Sequence, residues 1–181
     1  MKNRAPRVSS EEELLFARCL KHDPEAIQEW GRRYARPLYG LLQSLCDKKA
    51  GGFSDLVPEV FAEMLESSEP FDLKEPLEIS LTRALIAKIQ KKIRKKEIRE
   101  TSEAPNFLDS KLRFIFRALA HLSWNQKILL LLRDQCLLSH EEIADILDVP
   151  KSQIQNRLKE ARLLFRKYLQ EILSSGKESA G

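Results

Sequence analysis

The chain has 181 residues, of which 43% are hydrophobic and 32% charged, and its formal net charge is +4. The longest apolar run, residues 128–132, is far too short for a bilayer span of about 20 residues, and the N-terminus lacks the apolar core of a secretory signal, so we expect a cytoplasmic protein without membrane insertion. Cys19, Cys46 and Cys136 are too scattered for a zinc site or a disulfide framework, which predicts reduced core residues and no metal or cofactor.

The first half of the chain reads as a series of helices. Ser10 with Glu13 has the pattern of a capping box, and Asp23 before Pro24 predicts the start of a second helix. After a break at Gly51-Gly52, a third helix is predicted to begin at Ser54. A fourth carries a stripe of Leu81, Leu85, Ile89 and Ile93, with lysines and arginines on its other faces.

A second helical segment follows the stretch "TSEAPNFLD", which contains several helix-interrupting residues. No alternating strand pattern persists anywhere, so the fold class predicted is all-α, with two small helical domains joined by a linker. The expected bounds are 1–100 for the first domain, 101–111 for the linker, 112–173 for the second domain and 174–181 for a disordered tail.

The stretch "LLSHEEIADILDVPKSQIQNRLKEAR" predicts two short helices joined by a tight turn. Ser139 and Glu142 form a capping-box pattern, and residues 148–150 supply the turn. Ile154, Leu158, Ala161 and Phe165 have the spacing of an inward face. Amides, hydroxyls and lysines then point outward, as in a helix-turn-helix whose second helix enters the major groove. An ordinary helical hairpin with a polar face is the structural alternative.

Charge is distributed in blocks. Residues 54–79 contain eight acidic residues and one lysine, whereas residues 81–100 contain eight Lys or Arg and two Glu. Residues 151–171 contain six Lys or Arg and two Glu. This separation suggests different partners on different surfaces, although charge runs are commonly no more than solvated faces.

Residues 122–169 resemble the fourth conserved region of bacterial RNA polymerase sigma factors, most closely those of the extracytoplasmic-function type. The matching residues are Leu138-Ser139, Glu142-Ile143-Ala144, Leu147, Val149-Pro150, Ile154, Arg157-Leu158 and Ala161-Arg162. The stretches "DPEAIQEWGRRYARPLYGLL" and "SDLVPEVFAEML" are similar to the second region of the same family. The resemblance implies a subunit that joins core RNA polymerase and directs it to promoter DNA.

The resemblance also implies where the partners bind. The core polymerase would contact the segment containing Asp55, Leu56, Glu59, Val60 and Phe61. The minus-ten promoter element would face the basic helix, with Lys88, Lys91, Lys92 and Lys95 as contacts. The minus-thirty-five element would be read by Lys151, Ser152, Gln153, Gln155, Asn156, Lys159 and Arg162. For Arg157 and Arg162, phosphate contacts and internal salt bridges remain equal alternatives.

Three departures from the family pattern stand out, and two of them lie in the second region. Pro58 stands where the family has glutamine, so the helix must either begin near Val57 or Pro58 or bend there. No aromatic residue lies between Phe71 and Phe107, where the family has residues that help to open DNA. In the fourth region, Ser152-Gln153 replaces the family's Gly-Thr, which should change the sequence that is read.

The sequence shows no phosphate-binding glycine loop and no nucleophile motif, so we do not expect an enzyme. The leading hypothesis is a sigma factor. One alternative is a sigma-like DNA-binding regulator that does not melt promoters. Another is a sigma-mimicking decoy that binds an anti-sigma factor, which is also a candidate partner of a true sigma factor.

Overall fold

The computed structural model describes residues 9–46, 54–66, 75–96 and 110–178, without side chains for 110–112 and 176–178. Within these ranges the protein is helical and contains no β-strand, which confirms the predicted all-α class. The helices are α1 (Ser10–Leu20), α2 (Pro24–Leu45), α3 (Leu56–Glu66), α4 (Leu77–Arg94), α5 (Ser110–Ala120), α6 (Trp124–Leu130), a π-helical turn (Leu131–Gln135), α7 (His140–Leu147) and α8 (Lys151–Glu178).

The helix starts follow the predicted caps, with one correction. The first capping box is formed by Ser9 and Glu12, one residue earlier than predicted, because the backbone N–H of Glu12 donates to Ser9 Oγ at 3.2 Å. Asp23 caps α2 by accepting from the N–H groups of Glu25 and Ala26. Side-chain oxygens thereby satisfy backbone donors that have no partner within the helix.

Pro58 does not break α3. The helix begins at Leu56, two residues after the predicted start at Ser54, and the N–H of Glu59 donates to the carbonyl oxygen of Asp55 at 2.8 Å. Pro58 therefore lies in the first turn, where its missing N–H would have no helical partner in any case. Of the two expected outcomes, the early helix start is the one observed.

Trp30 is the centre of the first-half core. It is fully buried, and its ring meets Phe16 edge-on at a centroid distance of 5.6 Å and Phe61 at 4.5 Å. Because these aromatic residues come from α2, α1 and α3 respectively, one side chain joins three helices. The predicted α4 stripe closes the core, with Leu81, Leu85 and Ile89 all fully buried and Ile93 partly so.

The second half is built from α5 to α8. Ile143, Ile154 and Leu158 are buried together, as predicted, whereas Leu147 is only partly buried. The long helix α8 packs against α5, α6 and α7 and continues to Glu178. The expected disordered tail is therefore wrong for residues 174–178. Residues 179–181 and most of the expected linker, 101–109, lie outside the described residues.

The two halves touch each other. Helix α4 packs against α7, and the π turn packs against α2. At the second contact, Ser44 Oγ lies 2.9 Å from the carbonyl oxygen of Gly40 and 3.2 Å from Gln135 Oε1. Within the described ranges, no helix combines the length and apolar character needed to cross a membrane.

Candidate nucleic-acid interface

Helix α7 is capped at its N-terminus, and the turn that joins it to α8 is tight. Ser139 Oγ accepts from the N–H of Glu142 at 3.2 Å, which confirms the predicted cap of α7. Asp148 ends that helix in the left-handed region with φ of 52°, and the N–H of Val149 donates to the carbonyl oxygen of Ala144. Aspartate tolerates this conformation better than most side chains, so the turn forms without glycine.

The N-terminal turns of α8 project into solvent. Ile154, Leu158 and Ala161 are buried and fix the rotation of the helix. The opposite face is exposed throughout and contains Lys151, Ser152, Gln153, Gln155, Asn156, Arg157, Lys159 and Arg162. This orientation was predicted from the apolar spacing, and the structure confirms it. DNA contact by these side chains stays a prediction.

Four of these exposed side chains have partners within the protein. Lys151 pairs with Glu141 of α7, and Arg162 Nη2 lies 2.6 Å from Asp134 Oδ1. Arg157 Nη2 donates to Gln153 Oε1 at 2.5 Å. All of these groups are solvent-exposed, so the ion pairs add little stability and can open for a phosphate. Arg162 therefore has an internal salt bridge in this structure without losing access to DNA.

The second predicted DNA surface, on α4, is arranged differently. Lys91 and Lys95 are exposed, but Lys88 and Lys92 are partly buried against α3. Both of these lysines pair with Glu59. Its Oε2 lies 3.2 Å from Lys88 Nζ, and its Oε1 lies 3.2 Å from Lys92 Nζ. Residues predicted to bind two different partners thus contact each other.

The predicted polymerase-binding segment is only partly at the surface. Leu56 and Val60 are almost completely buried, so they support α3 from within and do not form a contact surface; the expectation of direct contact is corrected for both. Phe61 is half-buried against Trp30. Asp55 is exposed and Glu59 partly so, which leaves these two carboxylates as the accessible members of the set.

Sequence reasoning missed the acidic partners of the lysines. Glu63 Oε1 lies 2.5 Å from Lys88 Nζ, and Glu141 pairs with Lys151. A signal for the first pair was present, because Glu59 and Glu63 are four residues apart on one helix and Lys88 and Lys92 four apart on another. Matching repeats place like side chains on one face of each helix, so two packed faces can form several ion pairs at once.

The cysteines and acidic residues show no metal-binding arrangement. No group of three or more His, Cys, Asp or Glu in the described part of the chain could hold a metal ion. Cys19 and Cys46 are buried, as expected, whereas Cys136 is partly buried beside a cavity at the contact between the halves. Burial, with a smaller contribution from the charge of Glu78, raises the pKa of the Cys136 thiol to about 11, so the thiol is protonated at neutral pH.

Comparisons with known proteins identify the class of the second half. Residues 115–164 match the family described as Sigma-70, region 4. This segment includes the helix-turn-helix described above, so the alternative of an ordinary helical hairpin is set aside. Among curated proteins, none matches this chain significantly.

Solved structures extend the likeness to both halves. The sigma factor RpoE from Bartonella quintana, in complex with the anti-sigma factor NepR, shares 21% identity and a TM-score of 0.65, over 82% of this chain and 96% of that one. CnrH, in complex with the cytosolic domain of CnrY, shares 18% identity and a TM-score of 0.69, over 88% and 97%. The fold is therefore that of two-domain sigma factors, and the predicted resemblance is confirmed.

Proposed function

We propose that this protein is a sigma factor that binds core RNA polymerase and directs it to promoters. The observation that carries the proposal is the exposed polar face of α8, set on a helix-turn-helix that matches Sigma-70 region 4. Amide and hydroxyl side chains at this position can bond to base edges, while lysines bind phosphates. The fold supports a whole sigma factor, because the likeness covers both halves.

In the proposed mechanism, the two halves bind different partners. The second half reads the minus-thirty-five element through Ser152, Gln153, Gln155 and Asn156. The first half binds core polymerase through the carboxylates of Asp55 and Glu59, and approaches the minus-ten element with α4. Lysine contacts to phosphate release counterions, so the affinity for DNA falls steeply as salt rises.

The direct test combines polymerase binding with transcription. Purified protein is mixed with bacterial core polymerase, the complex is isolated, and the transcripts that it makes are sequenced. A sigma factor forms a complex and starts transcripts downstream of one shared sequence pattern. Absence of complex formation, or initiation without a shared pattern, contradicts the proposal.

Two substitutions separate base reading from phosphate binding. Gln153→Ala is expected to change the preferred sequence and to cost about 1–3 kcal/mol for a lost base contact. Lys159→Ala is expected to weaken binding to all sequences and to lower the salt slope by about one. Gln170→Ala, an exposed residue further along α8, is the matched control and should change neither property. Unchanged preference in Gln153→Ala would remove that residue from the reading surface.

A DNA-binding regulator that does not melt promoters is the second candidate. It is favoured by the absence of aromatic residues between Phe71 and Phe107, since stacking on an unpaired base contributes about 1–3 kcal/mol. Permanganate reactivity of thymines near the transcription start distinguishes the two. Reactivity in the holoenzyme–promoter complex supports the sigma factor, and its absence supports the regulator.

An anti-sigma factor is the third partner that we propose. RpoE was solved with the anti-sigma factor NepR, and CnrH with the cytosolic domain of CnrY, so proteins of this fold are held by partner proteins. The decoy alternative differs because a decoy would bind such a partner without binding DNA. Sequence-specific DNA binding by the polymerase complex would exclude it.

A further inference from the structure

The ion pairs between α3 and α4 form a compact network. Glu59 reaches both Lys88 and Lys92 at 3.2 Å, and Glu63 reaches Lys88 at 2.5 Å. The groove between the two helices has a volume of 380 Å³ and is lined by these four side chains together with Lys91, Lys95 and two alanines. Four lysines and two glutamates thus surround one groove, so half of its positive charge is neutralised by the protein itself.

These pairs are more sheltered than ordinary surface salt bridges. The side chains of Lys88 and Lys92 are only 16% and 22% exposed, and that of Glu59 is 38% exposed. Burial alone would raise the pKa of Glu59, but hydrogen bonds from Lys92 and Lys88 outweigh it and lower the pKa. Partly buried charges are screened less by salt than exposed ones, so the glutamates compete effectively for the lysines.

We propose that Glu59 and Glu63 act as internal competitors of DNA, which keep Lys88 and Lys92 from phosphates until core polymerase engages α3. The inference rests on the proposed function and adds a regulatory step to it. In the free chain, a phosphate must displace a carboxylate before it reaches either lysine. When polymerase binds Glu59, that carboxylate is withdrawn and the lysines are released.

The coupling works in both directions. If polymerase binding raises the affinity of α4 for DNA, DNA binding must raise the affinity of the chain for polymerase by the same factor. Free protein would therefore bind DNA weakly through its first half, and the two partners would assemble together. A purely structural role for the pairs makes a different prediction: loss of Glu59 would destabilise the fold without changing the affinity for DNA.

The experiment measures DNA affinity of the free chain and of the polymerase complex. Glu59→Gln, Glu63→Gln and the control Glu66→Gln each remove one negative charge from α3, and none of the described ion pairs includes Glu66. For the free chain at low salt we expect Glu59→Gln to bind duplex DNA about three- to tenfold more tightly, which corresponds to breaking a partly sheltered pair. The salt slope should rise by about one for each lysine released.

Controls separate the competing explanations. Glu63→Gln, which leaves Glu59 in place, should give a smaller gain in DNA affinity. It also provides an independent measurement if thermal unfolding shows that Glu59→Gln destabilises the fold. Glu66→Gln should change affinity less than about twofold, since exposed charges on their own contribute little. An equal gain in Glu66→Gln means that net charge alone is responsible, and this overturns the inference.

The polymerase complex completes the test. With the chain saturated by core polymerase, the advantage of Glu59→Gln over wild type should disappear, because polymerase has already withdrawn that carboxylate. A gain of the same size with and without polymerase overturns the coupling. If a complex forms and initiates transcription while every α3 variant binds DNA like wild type, the inference fails and the proposed function stands. If the wild-type chain forms no complex, the proposed function fails and the coupling with it.

Discussion

The two basic helices of this protein differ in how accessible their charges are. The segment containing α4 has the larger excess of positive charge, yet Lys88 and Lys92 are sheltered and paired across to α3. The α8 segment has a smaller excess, but its side chains from Lys151 to Lys159 are exposed wherever they do not serve the core. Charge counts along a sequence therefore do not measure how much charge a surface can offer to a ligand.

The difference arises from the neighbouring helix. Helix α4 packs against α3, which presents glutamates at a matching spacing, so its lysines are neutralised from outside the helix. The exposed face at the start of α8 has two described ion pairs, Lys151 with Glu141 and Arg162 with Asp134, and the side chains of both pairs are solvent-exposed. The second half consequently presents exposed polar and basic side chains to solvent, whereas two lysines of the first half are paired with glutamates.

The largest expected effect is the loss of stability caused by a substitution in the core of the first half. Trp30→Ala removes the ring that joins α1, α2 and α3, and should lower the free energy of unfolding by about 3–5 kcal/mol. No hydrogen bond is lost in addition, because Trp30 Nε1 is buried without a partner among the described residues. Urea denaturation followed by circular dichroism measures the loss.

Trp124 makes this experiment specific to one half, because it is the other tryptophan of the chain and lies at the start of α6. Its fluorescence reports the second half while circular dichroism reports both. Leu14→Ala, on the exposed side of α1, is the control and should stay within about 0.5 kcal/mol of wild type. A comparable loss in that control, or none in Trp30→Ala, contradicts the assigned core.

In the second half, the corresponding loss of stability is expected from a substitution at Leu158. This side chain is 2% exposed and fixes the rotation of α8, so Leu158→Ala should cost about 2–5 kcal/mol. Leu163→Ala on the same helix, where the side chain is 57% exposed, is a matched control and should cost less than about 0.5 kcal/mol. Urea denaturation followed by circular dichroism measures the loss in each variant. Equal losses at the two leucines would mean that the helix is rotated relative to the arrangement described.

Much of the fold could be predicted because its determinants are local. The caps at Asp23 and Ser139 and the apolar spacing of α8 depend on residues within a few turns of one another. The first capping box was placed one residue late, since two adjacent serines are followed by three adjacent glutamates and the pattern fits two registers. The end of α8 was placed early, because a polar serine-containing stretch can still be helical when the helix before it is already formed.

The candidate site was less predictable wherever tertiary packing decides. Leu56, Glu59 and Val60 belong to the same sequence motif. Their positions around α3 determine that Leu56 and Val60 face the core, whereas Glu59 faces Lys88. The contact between the π turn and α2 includes Gln135, whose Oε1 lies 3.2 Å from Ser44 Oγ. Residues 91 positions apart in sequence meet there, and no local pattern indicates such a meeting.

Two glycines of α2 test how closely the π turn packs against this helix. A Cβ at Gly31 would have nothing within 4 Å, so Gly31→Ala should stabilise the helix by about 0.5–1 kcal/mol. A Cβ at Gly40 would lie 3.2 Å from Gln135 Nε2, so Gly40→Ala should gain less. Replacing Gln135 with alanine should restore the full gain of Gly40→Ala, and a double-mutant cycle in thermal unfolding measures this coupling. Identical gains at both glycines, with or without Gln135, would show that the π turn does not press on α2.

The smallest expected effect comes from carboxylates at the contact between the halves. Glu78 of α4 lines a cavity of 210 Å³ with Glu12, Arg33, Tyr34 and Cys136. Burial, followed by the charges of Glu12 and Glu142, raises the pKa of Glu78 above its usual 4.5. A carboxyl group with a raised folded-state pKa favours folding while it is protonated. Its contribution is fully present below the unfolded pKa and is lost as pH rises through the folded pKa.

Glu78→Gln should therefore stabilise the protein at neutral pH, within the roughly 0.5 kcal/mol typical of surface substitutions, and should have no stabilising effect below pH 4.5. Thermal unfolding of wild type and variant across this range measures the difference. Glu160→Gln, on the exposed face of α8 in the second half, is the control and should stay within about 0.5 kcal/mol of wild type at neutral pH. If the variant gains stability equally at all pH values, repulsion between ionised carboxylates does not act across the halves. The contact then depends on packing alone.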